Sequence, residues 1–260
     1  TVVTLSRSAE RIQVEMVKLV TSNHPEKLRN VYETGLSKVF FPELNIMMEC
    51  DQVNKHHMYS VGEHTIAAMQ QVPADKVLRL ATMLHDIAKP CCKTVDENGQ
   101  NHFKMHPVKG ADMARVFMRR LKFDNDTTDR VCILVKNHDD RPEITPRNIR
   151  RLIIRVGRDN FEDLLALKRA DCLAQSTYHR KEKLEYIDAM EVEYRKILQE
   201  ENCLSIKDLQ VNGKDLIDMG VPQGQRIGEI LKELFEDVVD NPEHNNRDYL
   251  LNQIETILRR

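Results

Sequence analysis

KVLRLATMLHDIAKP, residues 76–90, decides the fold. Val77, Leu80, Ala81 and Leu84 recur at helical spacing, and Pro90 stops the run because it lacks an amide donor and clashes with the preceding turn. The stretch therefore predicts a buried helix over 76–88, with His85 and Asp86 in its last turn beside a chain reversal. Adjacent histidine and aspartate offer an imidazole nitrogen and a carboxylate oxygen from neighbouring positions. His64 upstream and Asp171 far downstream can close a coordination sphere around a divalent ion, and His106 and His138 supply ligands for a second ion or contacts to a phosphate. Imidazole plus carboxylate suits Mn, Fe, Co, Ni or Zn better than Ca or Mg, which prefer all-oxygen spheres. Asp171 sits in an otherwise apolar helix with Leu164, Leu165, Leu167 and Ala174, where an unpaired carboxylate would be costly; metal ligation accounts for it.

Helical periodicity extends to either side, with helices expected at about 8–22, 26–38, 61–71, 107–121, 127–139, 147–156, 160–176, 180–201, 224–238 and 246–258. The stretch 44–60 reads as irregular, and 93–104 as a short hairpin or loop around the turn Asp96-Glu97-Asn98-Gly99. The palette agrees with helices: only 5% of residues are aromatic, there is no Trp, and unbranched Leu, Met, Lys, Arg and Glu recur. The expected class is all-α.

The formal net charge of −2 excludes a global basic field that would draw nucleic acid to the whole surface. Local charge differs, because residues 141–158 hold six arginines against one acid, Glu143. Arg147, Arg151, Arg155 and Arg158 share one helical stripe, which reads either as a solvated face or as a phosphate-contacting one. No apolar run approaches the roughly 18–20 residues that span a bilayer, and no secretory leader is evident. The six cysteines form no C-x-x-C pair and several lie among apolar residues, as reduced core thiols do; a cytoplasmic location is the expectation.

The runs His57-x-Tyr59-x-Val61-x-Glu63-His64-Thr65, Leu84-His85-Asp86-Ile87-Ala88-Lys89-Pro90 and Phe103-x-x-His106-x-x-x-Gly110-Ala111 carry a closer likeness. They resemble the HD phosphohydrolase signature, in the form found in the bodies of bacterial CCA-adding tRNA nucleotidyltransferases of the poly(A) polymerase family. Ser8-Ala9-Glu10-Arg11-Ile12, Tyr32-Glu33-x-Gly35-Leu36 and Phe41-Pro42-Glu43-Leu44 resemble that family's helical neck. Val211-Asn212-Gly213-x-Asp215-Leu216 and Gly220-Val221-Pro222-x-Gly224 resemble its tail. The likeness implies a neck-like segment over 1–45, a multi-helix HD phosphohydrolase-like bundle over 46–202 and a small helical tail over 203–260. The Gly-Gly motif, paired aspartates and Arg-Arg-Asp reader of the family's polymerase head are not in this sequence, so an excised portion of a longer protein is expected.

What the resemblance implies for function is a metal-dependent phosphohydrolase acting on phosphate monoesters, 2′,3′-cyclic nucleotides or RNA 3′ ends. The alternative is a tRNA-binding body and tail whose catalytic head lies elsewhere. The metal ligands would be His64, His85, Asp86, His106, His138 and Asp171, holding one or two divalent transition-metal ions. Asp86, Lys89 and His106 would carry the catalysis, and His57, Lys89, Arg147 and Arg151 would contact substrate. The partners expected are a phosphate ester or nucleotide and, in the alternative, tRNA.

Overall fold

The computed structural model describes residues 2–52, 59–200 and 203–259. His57 lies outside these residues. The described chain is predominantly helical, with one two-stranded antiparallel ribbon. It divides into two compact units, Thr1–Arg141 with Asp159–Asp188, and Pro142–Arg158 with Ala189–Arg260.

The first unit opens with α1 (Val2–Val20), α2 (Leu28–Glu33), α3 (Ser37–Phe40) and α4 (Pro42–Glu49). Next come α5 (Val61–Met69), α6 (Lys76–Leu84) and the single turn α7 (Lys89–Cys92). The ribbon of β1 (Thr94–Val95) and β2 (Asn101–His102) pairs Thr94 with His102 across the expected turn. After it run α8 (His106–Arg120) and α9 (Asn125–Asn137). The chain then enters the second unit with α10 (Pro146–Val156), returns to the first through α11 (Arg158–Ala174), and α12 (Arg180–Gln199) carries it across the boundary. The second unit ends with α13 (Gly213–Asp218), α14 (Gln225–Asp240) and α15 (Arg247–Leu258).

Local chemistry starts these helices where the sequence suggests. Asp75 accepts a hydrogen bond from the Leu78 amide (2.9 Å) and Asp124 from the Thr127 amide (2.7 Å), capping α6 and α9. Two expectations are corrected: the single helix expected over 26–38 is broken between α2 and α3, and residues 44–49, within the stretch read as irregular, belong to α4. Pro42 occupies the first turn, where no amide donor is needed, and Leu44 and Met47 bury its inner face. The segment is too short for periodicity to reveal.

α6 is the centre of the first unit. Every residue from Val77 to Leu84 is buried, and α6 packs against α1, α5 and α9. Each buried Leu or Met side chain contributes roughly 1.5–3 kcal/mol by leaving water. The buried Arg79 is satisfied by the carbonyls of Val20, Val72 and Pro73 at 2.9–3.0 Å. α4 and α5 approach so closely at Gly62 that a Cβ there would lie 2.8 Å from the Met48 backbone nitrogen. Only hydrogen fits, which sets α5, and His64 on it, against the core.

In the second unit Leu216, Ile230, Leu234, Val238, Leu250 and Ile254 form the core. Arg147 and Arg151 both reach one carboxylate, Asp240, at 2.5–3.0 Å, bracing α10 on α14. The hydrogen bonds from Arg147, aided by those from Arg151 against some burial, hold the Asp240 carboxyl down at about 2.

Gly62→Ala is expected to destabilise the chain by about 1–3 kcal/mol through overpacking, measured as the free energy of urea unfolding; wild-type stability would contradict the close approach. Because Asp240 has a lowered folded-state pKa, its contribution is present above the unfolded value of about 4 and fades as pH falls toward 2. Asp240→Asn should therefore flatten the acid limb of the stability curve over that window, and more so at low salt than at high. An acid limb identical to the wild type would contradict this role.

Candidate metal centre

Helix ends deliver most of the cluster. His64 lies on α5, whose N-cap Ser60 accepts from the Glu63 amide (3.3 Å). The Glu63 carboxylate also takes a two-pronged contact from Arg29 (2.8 and 2.5 Å), tying α2 to α5 beside His64. His85 is the C-cap of α6, Asp86 follows it in the reversal, and His138 is the C-cap of α9. His106 is the first residue of α8, directly after Met105, which sits in the left-handed region at φ 65°. Such a conformation costs about 1–3 kcal/mol and recurs where a site fixes the backbone. Asp171 comes from α11.

All six side chains converge. Asp86 is the hub: its Oδ2 is 3.1 Å from His85 Nε2 and 3.6 Å from His64 Nε2, and its Oδ1 is 3.3 Å from His106 Nε2 and 3.7 Å from His138 Nε2. Asp171 Oδ1 lies 2.9 Å from His64 Nε2 and 3.8 Å from His85 Nε2. Among the described residues, His64, His85 and Asp86 form one group able to hold a cation, and Asp86, His106 and His138 form another. Asp86 is common to both, one oxygen toward each.

The imidazole tautomers follow from their partners. A carbonyl can only accept, so Nδ1–H of His85 donates to Thr82 O (2.7 Å), that of His106 to Phe103 O (2.8 Å) and that of His138 to Val135 O (2.7 Å). Nδ1 of His64 faces Ala174 O at 3.4 Å. Each Nε2 is left as the atom that faces the centre, the arrangement by which proteins orient metal-binding histidines. Nε2 of His106 and His138 are 3.2 Å apart, and two lone pairs at that distance repel unless positive charge lies near both.

A divalent cation fits this donor set. Asp86 is fully buried, yet neither of its oxygens makes a well-directed hydrogen bond, nor does His85 Nε2. Lys89 Nζ forms an ion pair with Oδ2 at 2.7 Å and donates to Gln52 Oε1 at 3.0 Å. Buried polar atoms left without directed partners carry a heavy desolvation cost, which ligation offsets. Electrostatics agree. Burial opposes ionisation of Asp86 and Asp171, but His85, Lys89, His106 and His138 hold the first carboxyl, and His64 and His85 the second, well below the usual range. At His85 burial works against a charge, yet Asp86 and Asp171 together take the imidazole up to about 10. Burial lowers His138 instead. The centre is thus a pair of carboxylates whose charge His85 and Lys89 balance, a role that a bound cation would share.

A cavity of about 330 Å³ opens onto the cluster, with Asp86, Lys89, Phe103, His106, Arg141 and Lys183 in its wall. Beside it a second cavity of about 250 Å³ is bounded by Cys172, Tyr186 and Ile187 and shares His138 and Asp171. Lys89 therefore belongs to the site wall, and its ammonium also lies 5.5 Å from the Phe103 ring centre. Arg147 and Arg151 belong to the second unit, each engaged by Asp240. Three participants escape a reading of the sequence. Lys168 donates to the carbonyls of His138 (2.8 Å) and Asp140 (2.5 Å), and burial draws its ammonium down to about 8. Gln52 holds Lys89, and Gln175 contacts Asp171. Only Gln175 leaves a signal, its spacing of four from Asp171.

Residues 105–254 match the family described as tRNA nucleotidyltransferase domain 2, and residues 6–48 match one described as Probable RNA and SrmB-binding site of polymerase A. A CC-adding tRNA nucleotidyltransferase of Thermus thermophilus is 30% identical over 236 residues, covering 87% of this chain and 52% of its own. An A-adding tRNA nucleotidyltransferase of Deinococcus radiodurans is 30% identical over 239 residues, covering 87% and 54%. A bifunctional uridylyltransferase/uridylyl-removing enzyme of Rhodospirillum rubrum is 28% identical over 162 residues, covering 53% of this chain and 16% of its own. The chain spans about half the length of the first two curated relatives.

Proposed function

The chain belongs to the tRNA nucleotidyltransferase domain 2 family, and on that premise we propose that it is the part of a tRNA nucleotidyltransferase that holds tRNA, with a divalent-metal centre built into its first unit. The match of residues 6–48 to an RNA-binding family carries the first half of this reading. Within that span Arg29 is committed to Glu63 and Lys18 lies beside Glu15, while Arg11, Lys27 and Lys38 are exposed cations available to phosphates. Arg147 and Arg151 contribute less than their stripe suggests, since Asp240 and Glu236 balance their charge.

The six-residue cluster favours a second activity, metal-dependent hydrolysis of a phosphate ester or nucleotide. His64, His85, Asp86 and Asp171 would hold one transition-metal ion, or two with His106 and His138, which when bound would supply Lewis acidity and lower the pKa of water. Lys89 offers a fixed positive charge at the cavity wall, and Arg141 a guanidinium that suits phosphoryl oxygens. The His106 and His138 imidazoles, oriented by backbone carbonyls, can take or return a proton at Nε2. The similar enzyme of Rhodospirillum rubrum is named for removing uridylyl groups as well as transferring them, which supports this reading.

Fluorescence anisotropy with labelled tRNA tests the first reading. The expected binding weakens linearly in log salt, and the double change Arg11→Glu with Lys38→Glu should reduce the slope by about 1 for each phosphate no longer neutralised. Affinity indifferent to salt would overturn it. For the second, turnover of 2′,3′-cyclic AMP is expected with Mn, Co or Ni and should fall by at least about 100-fold in His106→Ala/His138→Ala. No turnover with any of these metals, or undiminished turnover in that variant, would remove the hydrolytic reading and leave the RNA-binding one standing.

A further inference from the structure

The end of α11 is built as a clamp on Asp171. Gln175 is buried, one turn beyond Asp171, and its amide Nε2 donates to both carboxylate oxygens, at 3.0 and 3.1 Å. Its Oε1 accepts from Lys183 Nζ on α12 at 2.6 Å. A carboxylate can only accept and an ammonium can only donate, so one orientation of the amide satisfies both neighbours. The Gln175 backbone is fixed as well, because Arg180 donates to its carbonyl at 2.5 Å and to that of Leu173 at 3.3 Å. The adjacent Ala174 carbonyl faces Nδ1 of His64. The segment that follows α11 therefore touches two candidate ligands at once.

We infer that Gln175, held in a single orientation by Lys183, is a positioning residue that fixes the Asp171 carboxylate for metal ligation. This rests on the cluster being a metal centre. One amide nitrogen within hydrogen-bond reach of both oxygens restrains the plane of the carboxylate, while Oδ1 faces His64 and His85. Without the amide, Asp171 keeps only its contact to His64, and more of the ordering that ligation requires must then be supplied by the metal. Lys183 acts on Asp171 through Gln175: it removes the flipped amide, in which a carbonyl oxygen would confront a carboxylate.

The test is Mn(II) binding to the full chain by calorimetry, with no turnover assay involved. Gln175→Leu is expected to weaken binding 10- to 100-fold, in the range typical of groups that orient metal ligands, and Lys183→Met by a smaller factor. The double variant should bind no more weakly than Gln175→Leu alone, because once the amide is gone Lys183 has nothing to orient. Wild-type affinity in Gln175→Leu, or a double variant whose loss is the product of the two single losses, would overturn the inference. Asp171→Asn separates it from the reading beneath it. If the wild type binds Mn(II) and Asp171→Asn does not, the centre stands and the Gln175 result is decisive; if the wild type binds none, the centre and the clamp fall together. Far-UV circular dichroism and the metal-free unfolding midpoint monitor folding. Should Gln175→Leu not fold, Lys183→Met carries the test: weakened Mn(II) binding at an unchanged midpoint supports the clamp, and unchanged binding refutes it.

Discussion

A buried carboxylate facing four imidazoles is the constraint on which the first unit depends. Asp86 is removed from water, and isolating a charge in this way costs several kcal/mol even after relaxation. Three of the four imidazole Nδ1 protons are committed to backbone carbonyls, so the nitrogens near Asp86 are not all available as donors. A cation common to both sides would resolve the conflict. The packing around it explains itself in these terms: α6 is buried along its length so that its end is rigid, Gly62 lets α5 bring His64 close, and Lys168 ties down the carbonyl of His138.

Two kinds of information about this centre differ in legibility. The residues of the cluster were legible because they are chemically expensive residues in apolar helical settings; His85-Asp86 before Pro90 and Asp171 among leucines announce themselves. Most helices were legible for the related reason that burial repeats at helical spacing. α4 was not, because eight residues give too few turns to show a period. Lys168 and Lys183 were not, since a lysine on a helix reads as solvated unless its partner is known, and those partners are the carbonyl of His138, 30 residues away, and the Gln175 side chain. The arginine stripe shows the converse: regular spacing left a solvated face and a phosphate-contacting one both open, while the carboxylate that engages Arg147 lies 93 residues along the chain.

The two readings of the chain describe different parts of it. The proposed RNA recognition would draw on exposed cations in the first helices and on the match of residues 6–48, whereas the candidate metal centre is buried beneath a cavity of its own. The family match over residues 105–254 takes in His106, His138 and Asp171. A protein that holds tRNA near a centre able to cleave phosphoesters would join two operations on one polymer. The chain spans about half of its curated relatives, which leaves room in such proteins for a catalytic part outside the matched span.

The metal centre is tested most directly by Co(II) substitution monitored by visible absorption. Titration of the chain should saturate at one or two equivalents and develop the ligand-field bands of nitrogen and oxygen coordination. Asp86→Ala, which removes the one ligand common to both halves, should abolish the bands while the helical circular dichroism persists. A titration with no bands, or bands unchanged in Asp86→Ala, would show that the imidazoles and carboxylates balance one another without a metal.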